Sequence, residues 1–372
     1  MEAGFRELGH VPVAEQELTA PRRDRRRLIK RGLLIALSVG VIVATFAYFL
    51  PSIANYADVW KVVKGLSWEW VVALVVATCI NLATFAPPWM IALPGLGFIR
   101  AMALTQASTA LSLVFPGGAA VGMAGSYGIT RRWGFPARDV ARSLTIVSLW
   151  SQLINFAFPI VAVFLLTIEG DELTPALAIA AFVGVAVLGV VVTGLVLVLL
   201  SNRLARELGD VAARFTSWAL ALVRRGPVKW GGENFKRFRD GVGDFLVRKW
   251  PWLTLATLAG NLSVFAVLLV SLRALDVPAS QVTVIEAFAA WALIRLIGSI
   301  PITPGGIGII ELGLTGALVG FGGSNASVVA AVLVYRFLTV VPTLTLGLLA
   351  SLTLRRKGPE VRARQQPEFP SP

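Results

Sequence analysis

Apolar residues in this chain come in long unbroken blocks. They show neither the alternation of a half-buried strand nor the narrow stripe of a soluble helix. A membrane span needs about 20 consecutive apolar residues. Blocks of that kind cover 33–50, 70–93, 143–168, 176–200, 251–272 and 327–352. Two further blocks are apolar but interrupted. The block 101–127 is broken at Phe115-Pro116-Gly117-Gly118, and 284–321 is broken at Pro301-Ile302-Thr303-Pro304-Gly305-Gly306. Each reads as a helical hairpin whose arms, about 14 residues in the first, are too short to cross alone. The fold class is therefore an all-α polytopic membrane protein.

The placement of charge orients it. A basic tail, 1–32, carries Arg22, Arg23, Arg25, Arg26, Arg27, Lys30 and Arg31 directly before the first span. Positive charge marks cytoplasmic loops, so the N-terminus is expected inside. If 101–127 turns back as a hairpin, Arg131, Arg132, Arg138 and Arg142 return to the same side. The loop with Glu169, Asp171 and Glu172 then lies outside. The stretch 201–250, with 11 Lys and Arg against 5 Asp and Glu, lies inside. Within it Leu204, Leu208, Val211, Phe215, Trp218 and Leu222 recur at helical spacing among Arg206, Arg214, Arg224 and Arg225. That pattern predicts a basic amphipathic helix on an anionic inner leaflet. The tail 353–372 is expected to be cytoplasmic and disordered.

The two halves carry matching landmarks. Trp70, Asn81, Leu82 and Phe85 recur as Trp250, Asn261, Leu262 and Phe265, each 180 residues on. Pro116-Gly117-Gly118 recurs as Pro304-Gly305-Gly306, Gly134-Phe135 as Gly320-Phe321, and Pro159 as Pro342. The pattern predicts two repeats, 33–168 and 176–352, with the basic loop 201–250 inserted in the second. Each has two spans, a Pro-Gly-Gly-broken hairpin and a closing span. Five segments per unit is odd, so the second copy is expected to be inverted. Inverted repeats with broken helices recur in transporters, with the substrate site at the breaks.

Candidate chemistry follows from what does not suit lipid. An interrupted helix is tolerated where protein or a wet cavity receives its backbone groups. The hairpin breaks (Pro116, Gly117, Gly118 and Gly122; Pro301, Pro304, Gly305, Gly306 and Gly308) are candidates on that ground. A helix starting at Gly306 would point free N–H groups at an anion. Four ionisable residues remain in apolar blocks: Glu286, Arg295, Glu311 and Arg336. Intramembrane charges are expensive and are functional candidates by default. Arg295 and Arg336 are expected to hold a lipid phosphate, with Glu311 pairing one of them or a cationic headgroup. Glu286 lies near the end of its arm and reads as interfacial. Asn81 and Asn261 occupy matching positions and are candidates to line the same site. Gln106, Gln152 and Asn155 read as hydrogen-bonding glue between helices.

Composition sharpens these readings. The 372 residues are 56 % hydrophobic and 15 % charged, with a net charge of +13, against roughly 25 % charged in an ordinary soluble chain. A pI near 10.8 alone would point to nucleic acid. Laid along the chain the excess falls in the loops expected inside, so no nucleic-acid partner is expected. One histidine, His10, and one cysteine, Cys79, exclude an internal disulfide, a His/Cys metal site and a His-based triad within the chain. No metal, cofactor or cleaved signal peptide is expected. No phosphate-binding Walker loop occurs, so no ATP motor is built in.

The run Arg295, Pro301-Ile302-Thr303-Pro304-Gly305-Gly306-Ile307-Gly308-Ile309-Ile310-Glu311, Gly320, Tyr335-Arg336, Pro342 resembles the lysylphosphatidylglycerol synthase transmembrane family over roughly residues 30–355. The resemblance implies a flippase-like protein of a bacterial plasma membrane that moves a lipid between leaflets. Full-length relatives also carry a soluble aminoacyl-transferase domain. Here 20 residues follow Leu352, so a stand-alone member is expected. Its lipid is a phospholipid, an aminoacylated phosphatidylglycerol or a polyprenyl-linked lipid. No enzymatic activity of its own is expected. Membrane lipids are the expected partners, with a second copy or a separate lipid-modifying enzyme as candidate protein partners. Two rivals stand beside this reading: a membrane enzyme of lipid or glycan assembly with Glu311 as acid/base group, and a membrane scaffold with a basic face.

Overall fold

A computed structural model describes residues 64–115, 118–169, 232–298, 304–306 and 308–353, with scattered positions between 182 and 217. The expected first span (33–50), most of the span 176–200, most of the amphipathic stretch, the tails 1–32 and 354–372, and Pro116, Gly117 and Pro301 lie outside the described residues.

Among the described residues every regular element is a helix: α1 (Trp68–Thr84), α2 (Ala86–Ala92), α3 (Phe98–Val114), α4 (Gly118–Arg132), α5 (Ala137–Glu169), α6 (Gly232–Ala274), α7 (Val284–Gly298), α8 (Ile309–Gly320) and α9 (Asn325–Thr353). A 3₁₀ turn, Pro304–Gly306, precedes α8. Among the described residues, four segments are long and apolar enough to cross a membrane: Trp68–Ala92, Ala137–Glu169, Val247–Ala274 and Asn325–Ala350. The protein is a multi-pass membrane protein in contact with membrane lipids. Exposed Val72, Val75, Val76 and Ile80 on α1, and Leu348 and Leu349 on α9, present the apolar surface that lipid solvates.

The hairpin arms are shorter. α3 has 17 residues, α4 15, α7 15 and α8 12. At 1.5 Å per residue none reaches the roughly 30 Å of a hydrocarbon core. Both expected hairpins form, α3 against α4 and α7 against α8. Pro159 lies inside α5 and Pro342 inside α9. α6 begins at Gly232, well before the apolar block, and carries Pro251 within it.

Among the described residues, three helix pairs make the most extensive contacts between the halves. α1 packs on α6, α3 on α9, and α5 on α7. Each closing helix thus lies against the first hairpin arm of the other half. One core, at one end of the bundle, gathers Phe158, Leu268, Phe288, Trp291, Leu314 and Val332. A second, at the other end, gathers Trp89, Leu104, Trp133, Leu144 and Leu253.

Glu286 has a structural task. Its Oε2 accepts the Thr283 N–H at 2.6 Å, and the Glu286 N–H donates to Thr283 Oγ1 at 3.1 Å. This is a capping box that satisfies two orphan donors at the start of α7. Thr283→Ala is expected to lower stability by about 1 kcal/mol while leaving the bundle's interior unchanged, a shift readable as a lower unfolding midpoint in detergent.

Candidate functional site

The second break is built by glycines in the left-handed region. Gly305, Gly306 and Gly308 have φ of 61°, 67° and 85°, which side chains disfavour. The expected helix start at Gly306 is therefore displaced: α8 begins at Ile309 with Gly308 as its N-cap, because a left-handed residue cannot continue a right-handed turn. A Cβ on Gly305 would lie 2.6 Å from Leu113 Cδ2. The tip of the second hairpin thus rests on the last turn of α3, beside the first hairpin's break. Gly118 and Gly122 serve a different contact, the seam between α3 and α4, where they face Ser112 and Ser108.

Glu311 is 3 % exposed and both its oxygens are engaged. Oε2 accepts the Gly308 N–H at 2.6 Å, so Glu311 caps its own helix. Oε1 accepts from Arg336 Nε at 2.6 Å. Arg336 Nη2 donates to the Gly305 carbonyl at 3.2 Å. One carboxylate and one guanidinium thereby lock the turn, α8 and α9 together. Those two bonds use two of the five N–H donors of Arg336.

Arg295 is fixed from three helices. On α7, its Nε donates to Asn155 Oδ1 of α5 at 2.8 Å, and its Nη2 donates to Asn261 Oδ1 of α6. The two asparagines are themselves oriented. Asn155 Nδ2 donates to Gln152 Oε1 at 3.2 Å, and Asn261 Nδ2 to the Thr257 carbonyl at 2.7 Å. The guanidinium carbon sits 5.1 Å from the Trp291 ring centre, a cation–π arrangement. Trp291 is in turn held by Phe158, its ring centre 5.1 Å away, and by Phe265 at 5.7 Å.

Arg295 and Arg336 line one cavity of about 150 Å³. Thr109 and Leu113 of α3, Val264 of α6, Trp291 and Ile294 of α7, Ile310 and Leu314 of α8, and Tyr335, Thr339 and Val340 of α9 complete its wall. Three of the sequence-selected residues, Arg295, Glu311 and Arg336, are thus brought together, with Asn261 behind Arg295. Asn81 is not on the wall. It donates to Ser263 Oγ at 3.0 Å, beside Thr84 at 2.8 Å from the same oxygen, and ties α1 to α6.

Sequence reasoning assigned Asn155 to helix packing and did not select Trp291, Tyr335, Thr109 or Thr339. Two signals were present: Trp291 stands one helical turn before Arg295, and Tyr335 is adjacent to Arg336. The approach of Asn155 from 140 residues away has no local signature.

Residues 33–347, most of the chain, match the family model described as "Lysylphosphatidylglycerol synthase TM region". No curated protein matches the chain.

Proposed function

The chain belongs to the lysylphosphatidylglycerol synthase TM family, membrane proteins of lipid metabolism, and from that premise we propose that it carries a lipid between leaflets without changing it. The observation that supports this reading is the cavity shared by Arg295 and Arg336 where the two hairpins meet. Guanidiniums placed at depth in an apolar bundle suit a phosphate that must cross hydrocarbon. The lipid is a phospholipid, an aminoacylated phosphatidylglycerol or a polyprenyl-linked lipid. Its headgroup passes between the hairpin tips while its chains stay in the bilayer.

In this reading 33–168 and 176–352 are inverted copies. The exchanged packing of α3 on α9 and of α7 on α5 is the contact pattern that a two-fold relation between the halves would produce. The membrane is a bacterial plasma membrane, with both termini in the cytoplasm on the side of the Arg-rich loops. An enzymatic role for Glu311 is disfavoured, because capping Gly308 and pairing Arg336 occupy both its oxygens.

Reconstitution in proteoliposomes with headgroup-labelled lipid and a leaflet-resolved readout tests the proposal. The expected result is unmodified lipid in the opposite leaflet. A lipid that stays in its leaflet, or one recovered with an altered headgroup, would overturn it.

A further inference from the structure

We infer that Asn155 and Asn261 are positioning residues that present the Arg295 guanidinium to a lipid phosphate without cancelling its charge. The inference rests on the proposed lipid-moving role and deepens it by naming what prepares the cation of that same site.

The two arginines of the cavity wall are held in different ways. Arg336 donates from Nε to the Glu311 carboxylate at 2.6 Å, so it reaches the cavity with its charge already shared. Asn155, Asn261 and Trp291 grip Arg295, and all three are neutral. Nε donates to Asn155 Oδ1 at 2.8 Å and Nη2 to Asn261 Oδ1. The Trp291 ring centre lies 5.1 Å from the guanidinium carbon. A carboxylate in either amide position would accept the same hydrogen bond. It would also bring a full negative charge, which at low dielectric competes strongly with an incoming anion. A carboxamide oxygen fixes direction and leaves that attraction for the ligand.

Both amides are locked in the orientation this task needs. A guanidinium donates and cannot accept, so each asparagine must turn its oxygen towards Arg295. The nitrogen ends enforce the choice: Asn155 Nδ2 donates to Gln152 Oε1 at 3.2 Å, and Asn261 Nδ2 donates to the Thr257 carbonyl at 2.7 Å. Both asparagines are buried. An amide that only glues helices needs one partner on a neighbouring helix. Here two amides, from α5 and α6, converge on one cation of α7.

Asn155→Asp and Gln152→Glu separate this role from helix packing. The first keeps the acceptor for Arg295 and adds a charge beside it, and Gln152 can turn its amide to donate to the new carboxylate. The second keeps the acceptor for Asn155 Nδ2 and adds the charge one side chain further away, at an exposed position. Position 155 is preferred to 261, where a carboxylate would face the Thr257 carbonyl.

Detergent-purified full chain is given phosphatidylglycerol, whose one charge is on its phosphate. Retained lipid is measured by native mass spectrometry, and unfolding midpoints are measured on the same preparations. Asn155→Asp is expected to weaken retention by about tenfold, equivalent to ~1.4 kcal/mol. Its unfolding midpoint is expected to stay close to the wild type, because attraction to Arg295 offsets the cost of burying the new carboxylate. Gln152→Glu is expected to give a smaller loss in the same direction. A packing role predicts wild-type retention in both variants, and that result would overturn the inference. If Asn155→Asp does not fold, unchanged retention in Gln152→Glu overturns it alone. A wild type that retains no lipid would overturn it as well. Complete displacement of the lipid by millimolar inorganic phosphate would assign the site to free phosphate, with the same consequence. Weakened retention in the variants, with no lipid movement by the wild type in proteoliposomes, would remove the transport reading and leave this inference standing. Movement by the wild type that both variants match would do the reverse.

Discussion

Glu311→Met is expected to destabilise the protein by about 3–5 kcal/mol, the usual loss when one partner of a buried ion pair is removed. Two terms add. Arg336, its side chain 12 % exposed, loses the carboxylate on its Nε and is left as a buried charge held by the Gly305 carbonyl. The Gly308 N–H also loses its acceptor, and an unsatisfied buried donor costs roughly 1–3 kcal/mol. Arg336→Met alone is expected to cost less, because Glu311 keeps its Gly308 contact. The double variant Glu311→Met/Arg336→Met is expected to recover most of the stability. An apolar pair of similar volume is often neutral in place of a buried ion pair, and the Gly308 N–H remains as the residual loss. The double variant is nevertheless expected to lose lipid movement, since Arg336 is on the cavity wall. Unfolding in detergent and leaflet-resolved transport measured on the same preparations separate the two effects. A double variant as unstable as the sum of the single ones would show that the two side chains do not act as a pair. A stable double variant with full transport would remove Arg336 from the site.

The long helices are legible because lipid imposes a length and a polarity that few other environments demand. Trp68–Ala92 and Val247–Ala274 follow the apolar blocks at 70–93 and 251–272 within a few residues. The site charges are legible for the same reason: Arg295, Glu311 and Arg336 interrupt sequences that would otherwise be solvent for acyl chains. Partner choice is less so. Spacing places Arg295 and Glu311 on the two arms of one hairpin, yet Glu311 pairs with Arg336 of the next helix. Arg295 reaches amides on α5 and α6 instead. Those choices depend on how α5, α6 and α9 pack, which no local pattern encodes. The start of α8 at Ile309, three residues beyond Gly306, has a related cause. A run of glycines permits many backbone paths, and the selected one has Glu311 reaching back to the Gly308 N–H. Asn81 and Asn261 show the limit of repeat arguments. They occupy matching positions, but one joins α1 to α6 while the other holds a guanidinium.

Two glycines on one helix are expected to respond in opposite directions. Gly118→Ala is expected to destabilise the protein by about 3 kcal/mol, at the upper end of overpacking losses. Gly128→Ala is expected to stabilise it by about 0.5–1 kcal/mol. A Cβ on Gly118 would lie 1.8 Å from the Ser112 carbonyl oxygen and 2.6 Å from its carbon. The obstacle is backbone, so no rotamer change relieves it. The arms of the first hairpin would have to separate. Gly122 and Gly125 extend the same close seam, where a Cβ would lie 2.7 Å from the Ser108 carbonyl and 2.4 Å from Leu111 Cδ1 respectively. Moving α3 also shifts Leu113, on which Gly305 rests, and Thr109, which lines the cavity. Loss of stability and of lipid movement are therefore expected together. Gly128 has no atom within 4 Å of an added Cβ, so alanine there gains helix propensity without a clash. Unfolding midpoints of the two variants, measured side by side in detergent, decide the matter. Shifts of the same sign and size would mean that the seam between α3 and α4 is looser than these contacts require, and that the first hairpin does not set the position of the second.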